Sequence, residues 1–222
     1  MTIVSCVPYI SAGVGWLVVL TLVAGGFVYA LRRRLKASGA VLWWLAGLLG
    51  VARIGQTIYM TVAQYDAWLA SPLTKDLVVQ PLSVHNAQTS LAAWIIKVFH
   101  IHAGYFVFYV YGRFWINALL GIGTAFIFLG VLAFLKKYRD RFFDDGELQL
   151  GLVAALAVGW PLIVGFVPLV FVGVVVVSFV RLIFFKEKYT TLGWPIFFAA
   201  ALSLLIAVAY PALVQSFIFL TV

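Results

Sequence analysis

The sequence predicts an all-α, polytopic helical membrane protein with about six or seven membrane segments, some kinked or re-entrant. Three observations predict it. Hydrophobic residues make up 65% of the 222-residue chain and charged residues only 10%, against roughly half and a quarter in soluble domains. The apolar runs are continuous rather than alternating, which excludes a closed β-barrel. The 15 Lys and Arg gather at the ends of those runs, as membrane anchoring predicts, so the net charge of +8 is not a nucleic-acid footprint. Residues 1–222 read as a single membrane-embedded domain, with no coiled-coil, solenoid or low-complexity repeat. The one cysteine, Cys6, excludes an intramolecular disulfide and a Cys-rich metal site.

The first helix is expected over Ser11 to Leu31. Residues 1–10 carry no basic n-region and no small-residue cleavage signature, so this helix reads as retained. Arg32, Arg33, Arg34 and Lys36 stop it. As the densest basic cluster they belong inside, which puts the N-terminus outside. The second helix, Val41 to Val62, returns outward and carries Arg53 near its middle. A cation there costs on the order of 2.5–3.5 kcal/mol and normally faces the bundle interior with a partner or a use. The polar segment Gln64 to Ser90 follows as an outside loop, with one basic residue, Lys75.

Leu91 to Tyr111 is long enough to span but holds Lys97, His100 and His102, and reads as re-entrant or tilted within protein. Trp115 to Leu135 spans, and ends on Lys136 and Lys137. The acidic turn Asp140 to Glu147 leads to Leu148–Val180, uncharged and broken by Pro161 and Pro168. One kinked span is expected there, because two half-length passes at about 1.5 Å per residue barely cross the hydrocarbon. The last segment is Thr191 to Leu220, with Pro195 and Pro211.

The polar residues inside this apolar chain carry its chemistry. On a helix His100 and His102 lie about 200° apart, so they cannot ligate one ion together; no metal or cofactor follows from the residues. The run Ser83 to Ser90 is either an outside loop or a surface site with His85 as base or hydrogen-bond donor. Arg113 and Asn117 share a helical face and are either an interfacial anchor or a phosphate clamp. Arg181 ends the last run before Lys186 and reads alone as a stop-transfer charge.

In order along the chain, these points resemble the prolipoprotein diacylglyceryl transferases. Leu48-Leu49-Gly50-Val51-Ala52-Arg53-Ile54-Gly55, with Tyr59 and then Leu69-Ala70-Ser71-Pro72-Leu73, is similar to the family's G-G-R-I-G helix, its downstream tyrosine and its L/M-A-D-P-L. Ser83-Val84-His85-Asn86-Ala87 stands where the family has S-F-H-G-G. Gly112-Arg113 with Ile116-Asn117 stands for its G-R-x-G-N-F-I-N loop, and Arg181-Leu182-Ile183-Phe184-Phe185-Lys186 for its R-x-I-x-E-F-F-R helix. Asn86, Ala87 and Phe185 replace two glycines and a glutamate of that pattern.

The resemblance implies transfer of diacylglycerol from phosphatidylglycerol to a lipoprotein cysteine in the bacterial cytoplasmic membrane. It implies His85, Arg113 and Arg181 as catalytic residues and Arg53, Tyr59 and Asn117 as substrate-binding ones. Its partners are an anionic membrane phospholipid and a lipoprotein substrate, with no nucleic acid and no cofactor. The replaced residues keep a second reading open: a non-catalytic lipid-binding or scaffold subunit of a larger membrane complex. Asp145-Gly146-Glu147 before an apolar helix, with Gly159-Trp160-Pro161, keeps open a third, a prepilin peptidase-like protein, although that family's motif aspartate would here be Glu147.

The charge pattern makes one direct prediction. Cysteines placed at Ser38 and Ser71, in a Cys6→Ser background, should react with an impermeant thiol reagent from opposite sides of the membrane. Labelling of both from one side overturns the assigned orientation.

Overall fold

The computed structural model describes residues 3–32, 34, 37–80, 104–138, 143–184, 186 and 191–210. Among them the chain is helical, with no strand. After a 3₁₀ turn at Ile3–Cys6 come α1 (Val7–Ala30), α2 (Ser38–Ala70) and the short α3 (Lys75–Val79). Then α4 (Gly104–Val110) runs through a π-helical turn, Tyr111–Trp115, directly into α5 (Ile116–Tyr138). The remaining elements are α6 (Glu147–Val158), α7 (Ile163–Phe184) and α8 (Gly193–Ala209).

Four helices are long and apolar enough to cross a membrane: Val4–Ala30, Ser38–Ala70, Tyr105–Tyr138 and Ile163–Phe184. They turn large apolar side chains outward, among them Phe27, Val51, Ile127 and Val175. Apolar surface on that scale marks a contact with membrane or protein, and the architecture is compatible with an integral membrane protein. Helices α6 and α8 are also apolar but shorter, at 12 and 17 residues.

Three expectations shift. The second helix continues past Val62 to Ala70, because no proline interrupts it until Pro72. Ser71, just before that proline, is extended, at φ −95° and ψ 125°, as the pyrrolidine ring requires of its neighbour. The first part of the expected polar loop is therefore helix. Secondly, Gly112 does not end a segment: the π turn absorbs it and Tyr105–Tyr138 is one helix. Lys97, His100 and His102, on which the re-entrant reading of Leu91–Tyr111 rested, lie outside the described residues, as do residues 211–222 of the last segment.

Thirdly, Leu148–Val180 is not one kinked span. It breaks at Gly159–Leu162 into α6 and α7. Phe166 packs edge-on against Phe128, and Gly173 approaches Pro195 at the start of α8, so α7 turns back toward the end at which α6 begins. Gly159 sits at φ 66° and ψ 179°, a region essentially reserved for glycine, and Pro161 has no N–H with which to continue the helical ladder.

Helix α6 is the core. Every residue from Leu150 to Val158 is buried, as expected of a helix that is apolar all round. It packs against α1, α2, α5 and α8. Its alanines let those neighbours approach closely.

A polar node holds the first residue of α6. The Glu147 side chain is completely buried, which is costly for a carboxylate unless its oxygens are hydrogen-bonded. Tyr29 Oη donates to Oε1 at 2.7 Å, the Gly193 N–H donates to the same oxygen at 2.8 Å, and the Asp144 N–H donates to Oε2 at 3.0 Å. Placement at a helix N-terminus adds a favourable dipole interaction. Arg32 completes the node. It pairs with Asp144, donates from Nη1 to the Tyr29 carbonyl at 3.1 Å, and lies 4.1 Å from the centre of the Tyr29 ring. Three helices, α1, α6 and α8, thus meet on one carboxylate. Glycine is required at 193, since a Cβ there would fall 2.1 Å from Tyr29 Cζ.

Tyr29→Phe removes one donor from a buried carboxylate and should lower unfolding stability in detergent by about 1–3 kcal/mol. Gly193→Ala, which drives a methyl group into the tyrosine ring and parts α8 from α1, should cost more. The opposite ranking in thermal unfolding would show that the node does not organise the fold.

Candidate functional site

Arg53 lies on the interior side of α2, and its partner is the far end of α6. Its Nη2 donates to the carbonyl of Ala157 at 3.0 Å. The helical partner of that carbonyl would be the N–H of residue 161, which is a proline. The break that ends α6 therefore leaves a buried carbonyl without its backbone donor, and Arg53 supplies one. A cation at a helix C-terminus also complements the dipole. Gly159 makes the approach possible, because a Cβ there would sit 3.1 Å from Arg53 Nη2.

The opposite wall comes from the π turn. A π turn inserts one extra residue and reorients the side chains around it, and such turns recur at functional sites. Here it carries Arg113. Trp115 Nε1 donates to Thr61 Oγ1 at 3.2 Å and ties the turn to α2. One helical turn on, Asn117 Nδ2 donates to the Arg113 carbonyl at 3.0 Å. Asn117 Oδ1 is buried and has no hydrogen-bond partner among the described residues.

Between these walls is a pocket of about 250 Å³, lined by Arg53, Gln56, Thr57, Arg113, Asn117 and Trp160, with apolar residues between them. Two arginines line it, and no acidic residue is among its described lining residues. Guanidinium presents five donors in a fixed fork suited to phosphate or carboxylate oxygens, and one used at Ala157 leaves others for a ligand. The arrangement is chemically an oxyanion receptor in apolar surroundings, where charge-assisted hydrogen bonds are strong.

Of the residues singled out in the sequence, Arg53, Arg113 and Asn117 line this pocket. Tyr59 does not: six residues on from Arg53 is about 240° around the helix, and Tyr59 meets Cys6 of the N-terminal turn instead. Arg181 does not either. It is near the C-terminal end of α7, about 27 Å along the helix from Ile163 at the pocket end. His85 lies outside the described residues. Gln56 and Thr57 line the pocket as well, as does Trp160, which the sequence marks only within Gly159-Trp160-Pro161. The first two were legible, since positions three and four beyond Arg53 share its face. The contribution of Trp160 depends on how the α6–α7 break packs against Gly121 of α5, which no local pattern encodes.

No protein-family model, curated protein or solved structure matches this chain.

Gly159→Ala should cost about 1–3 kcal/mol in unfolding stability from backbone strain, and should displace the Arg53 side chain. Arg53→Met should also destabilise, because it strands the Ala157 carbonyl. If Gly159→Ala unfolds like wild type, Arg53 does not depend on this turn.

Proposed function

We propose that this chain is an integral membrane protein that binds the phosphate of an anionic phospholipid between Arg53 and Arg113. The observation that carries the proposal is the presence of both arginines, with no acidic residue, among the described lining residues of one pocket. Arg53 lies within the bundle, where a cation needs a partner or a use, and anionic lipid is the nearest source of negative charge in a membrane. In this reading α6 and α8 are inserted segments beside the four helices long enough to span, which would make six membrane segments. The basic stop after α1 sets the N-terminus outside, in what the resemblance makes a bacterial cytoplasmic membrane.

The proposed activity is that of a divergent diacylglyceryl transferase. A lipoprotein cysteine thiol would lose its proton to a base. Its sulfur would form a bond to the terminal glycerol carbon of the diacylglyceryl group as the carbon–oxygen bond to phosphate breaks, and the glycerol phosphate would leave with the electron pair. Arg53 and Arg113 would meet the charge that develops on the phosphate. His85 is the residue the resemblance assigns to the proton.

A second reading is a non-catalytic lipid-binding or scaffold subunit. The distance of Arg181 from the pocket favours it, as do Asn86, Ala87 and Phe185 at positions where the family pattern has other residues. The prepilin peptidase reading loses support, since Glu147 is enclosed and hydrogen-bonded within the node.

Purified protein in nanodiscs decides between these readings. Phosphatidylglycerol should be retained over phosphatidylcholine, and Arg53→Ala and Arg113→Ala should each reduce that preference. With a lipobox peptide present, the transferase reading expects a thioether product, and Arg113→Ala should slow its formation about a hundredfold. Retention without product leaves the subunit reading. Equal retention of both lipids overturns both.

A further inference from the structure

The cationic pocket does not end in a closed wall. An apolar groove of about 440 Å³ runs between α5 and α7 and adjoins it at Trp160, which lines both. On the α5 side the two surfaces follow one line. Asn117 and Gly121 border the pocket, then Thr124, Ile127, Val131 and Leu135 border the groove. These spacings of three and four keep the residues on one face, and from Asn117 to Leu135 they extend about 27 Å. Across from them stand Ile163, Val164, Val167 and Phe171 of α7. The groove lies beside the Gly159–Leu162 break, where α7 turns back toward the start of α6 and leaves a trough between itself and α5.

The chemistry changes abruptly at Trp160. On one side are two guanidinium groups, two amides and a hydroxyl. On the other, Thr124 is the one hydroxyl, and its Oγ1 is directed at the Leu120 and Gly121 carbonyls at 2.6 and 3.2 Å. The groove therefore gives a ligand hydrocarbon contacts and no free donor. A cationic head continuing into an apolar trough is the complement of one anionic amphiphile.

We propose that this groove takes an acyl chain of the phospholipid whose phosphate lies between Arg53 and Arg113, with the glycerol ester linkage beside Trp160. The inference rests on the headgroup reading above and names what that reading leaves open, namely where the hydrocarbon goes. Continuity at Trp160 and charge complementarity at one end favour a chain of that same molecule over a packed protein helix, which would bring no anion to the arginines.

The test uses the full chain in nanodiscs with phosphatidylglycerol carrying a photoactivatable diazirine near the end of one acyl chain, and phosphatidylcholine with the same chain as control. Labelled residues are mapped by peptide mass spectrometry. The expected result is labelling of Ile127, Val131, Val164 and Phe171 several-fold stronger with phosphatidylglycerol than with phosphatidylcholine. Arg53→Ala and Arg113→Ala should each reduce it to the phosphatidylcholine level. Val131→Trp and Val164→Trp, each filling the groove from a position already exposed on its helix, should cause a several-fold loss of groove labelling. Val19→Trp, on the outward face of α1, should not.

Arginine-dependent retention of phosphatidylglycerol, with its chain label elsewhere on the bundle, overturns the groove and leaves the headgroup reading standing. Equal groove labelling by both lipids, unaffected by the arginine substitutions, shows a lipid-filled crevice and also overturns the proposal. Loss of the headgroup preference in the wild-type protein overturns the reading beneath it.

Discussion

The structure depends on a half-length helix whose two ends both lie inside the protein. At 12 residues, α6 measures about 18 Å, well short of a bilayer's hydrocarbon thickness of about 30 Å. Its first and last residues, Glu147 and Val158, are both buried, so the N–H and C=O groups that a helix leaves unsatisfied at its ends need partners within the protein. At the beginning, the Glu147 and Leu150 N–H groups donate to the Asp144 and Gly146 carbonyls, while Tyr29 and Gly193 donate to the buried Glu147 carboxylate and Arg32 pairs with Asp144. Arg53 serves the end, at Ala157. Both ends are tied to other helices, the first through the Glu147 side chain and the last through the Ala157 carbonyl.

This arrangement links stability to the pocket. The Gly159–Pro161 break leaves the Ala157 carbonyl in need of a donor, and the donor is an arginine rather than a neutral amide. A neutral side chain could satisfy a single carbonyl. Arginine does so with one N–H of five, and its remaining donors and full charge belong to the pocket that the same break opens. The residue that satisfies the Ala157 carbonyl also lines the pocket proposed to take an anion. The π turn is the second half of the design. It departs from regular helical geometry where Arg113 and Asn117 enter the pocket, and Trp115 anchors that departure to α2.

The two ends of the bundle use charge differently. At the node, positive and negative side chains meet in one hydrogen-bonded network: Arg32 with Asp144, and Asp144 with Glu147. At the pocket, two arginines share one lining with no acidic residue among its described members. The first arrangement is self-sufficient and binds helices together. The second is electrostatically incomplete without an anion, and that contrast is the physical basis for reading one as structural and the other as a binding site.

Composition and continuous apolar runs were enough to anticipate a helical chain with helices long and apolar enough to cross a membrane, because burying backbone in an apolar setting permits few alternatives. Arg53 was legible as an interior residue for the same reason: a cation in mid-helix is too costly to leave without a use. Arg113 and Asn117 were legible as a pair from their spacing. Tertiary structure alone decided the rest. Whether Leu148–Val180 bends or folds back depended on whether a distant arginine could receive the carbonyl released at Pro161. Whether Arg181 joins Arg53 depended on the direction α7 takes after that turn. Glu147 read locally as part of an acidic turn, and its role came from Tyr29 and Gly193, remote in sequence and brought to it by packing. Local pattern determines which residues are too polar to be idle. Only the fold determines which partners they meet, because those partners come from other helices at separations that no periodicity records.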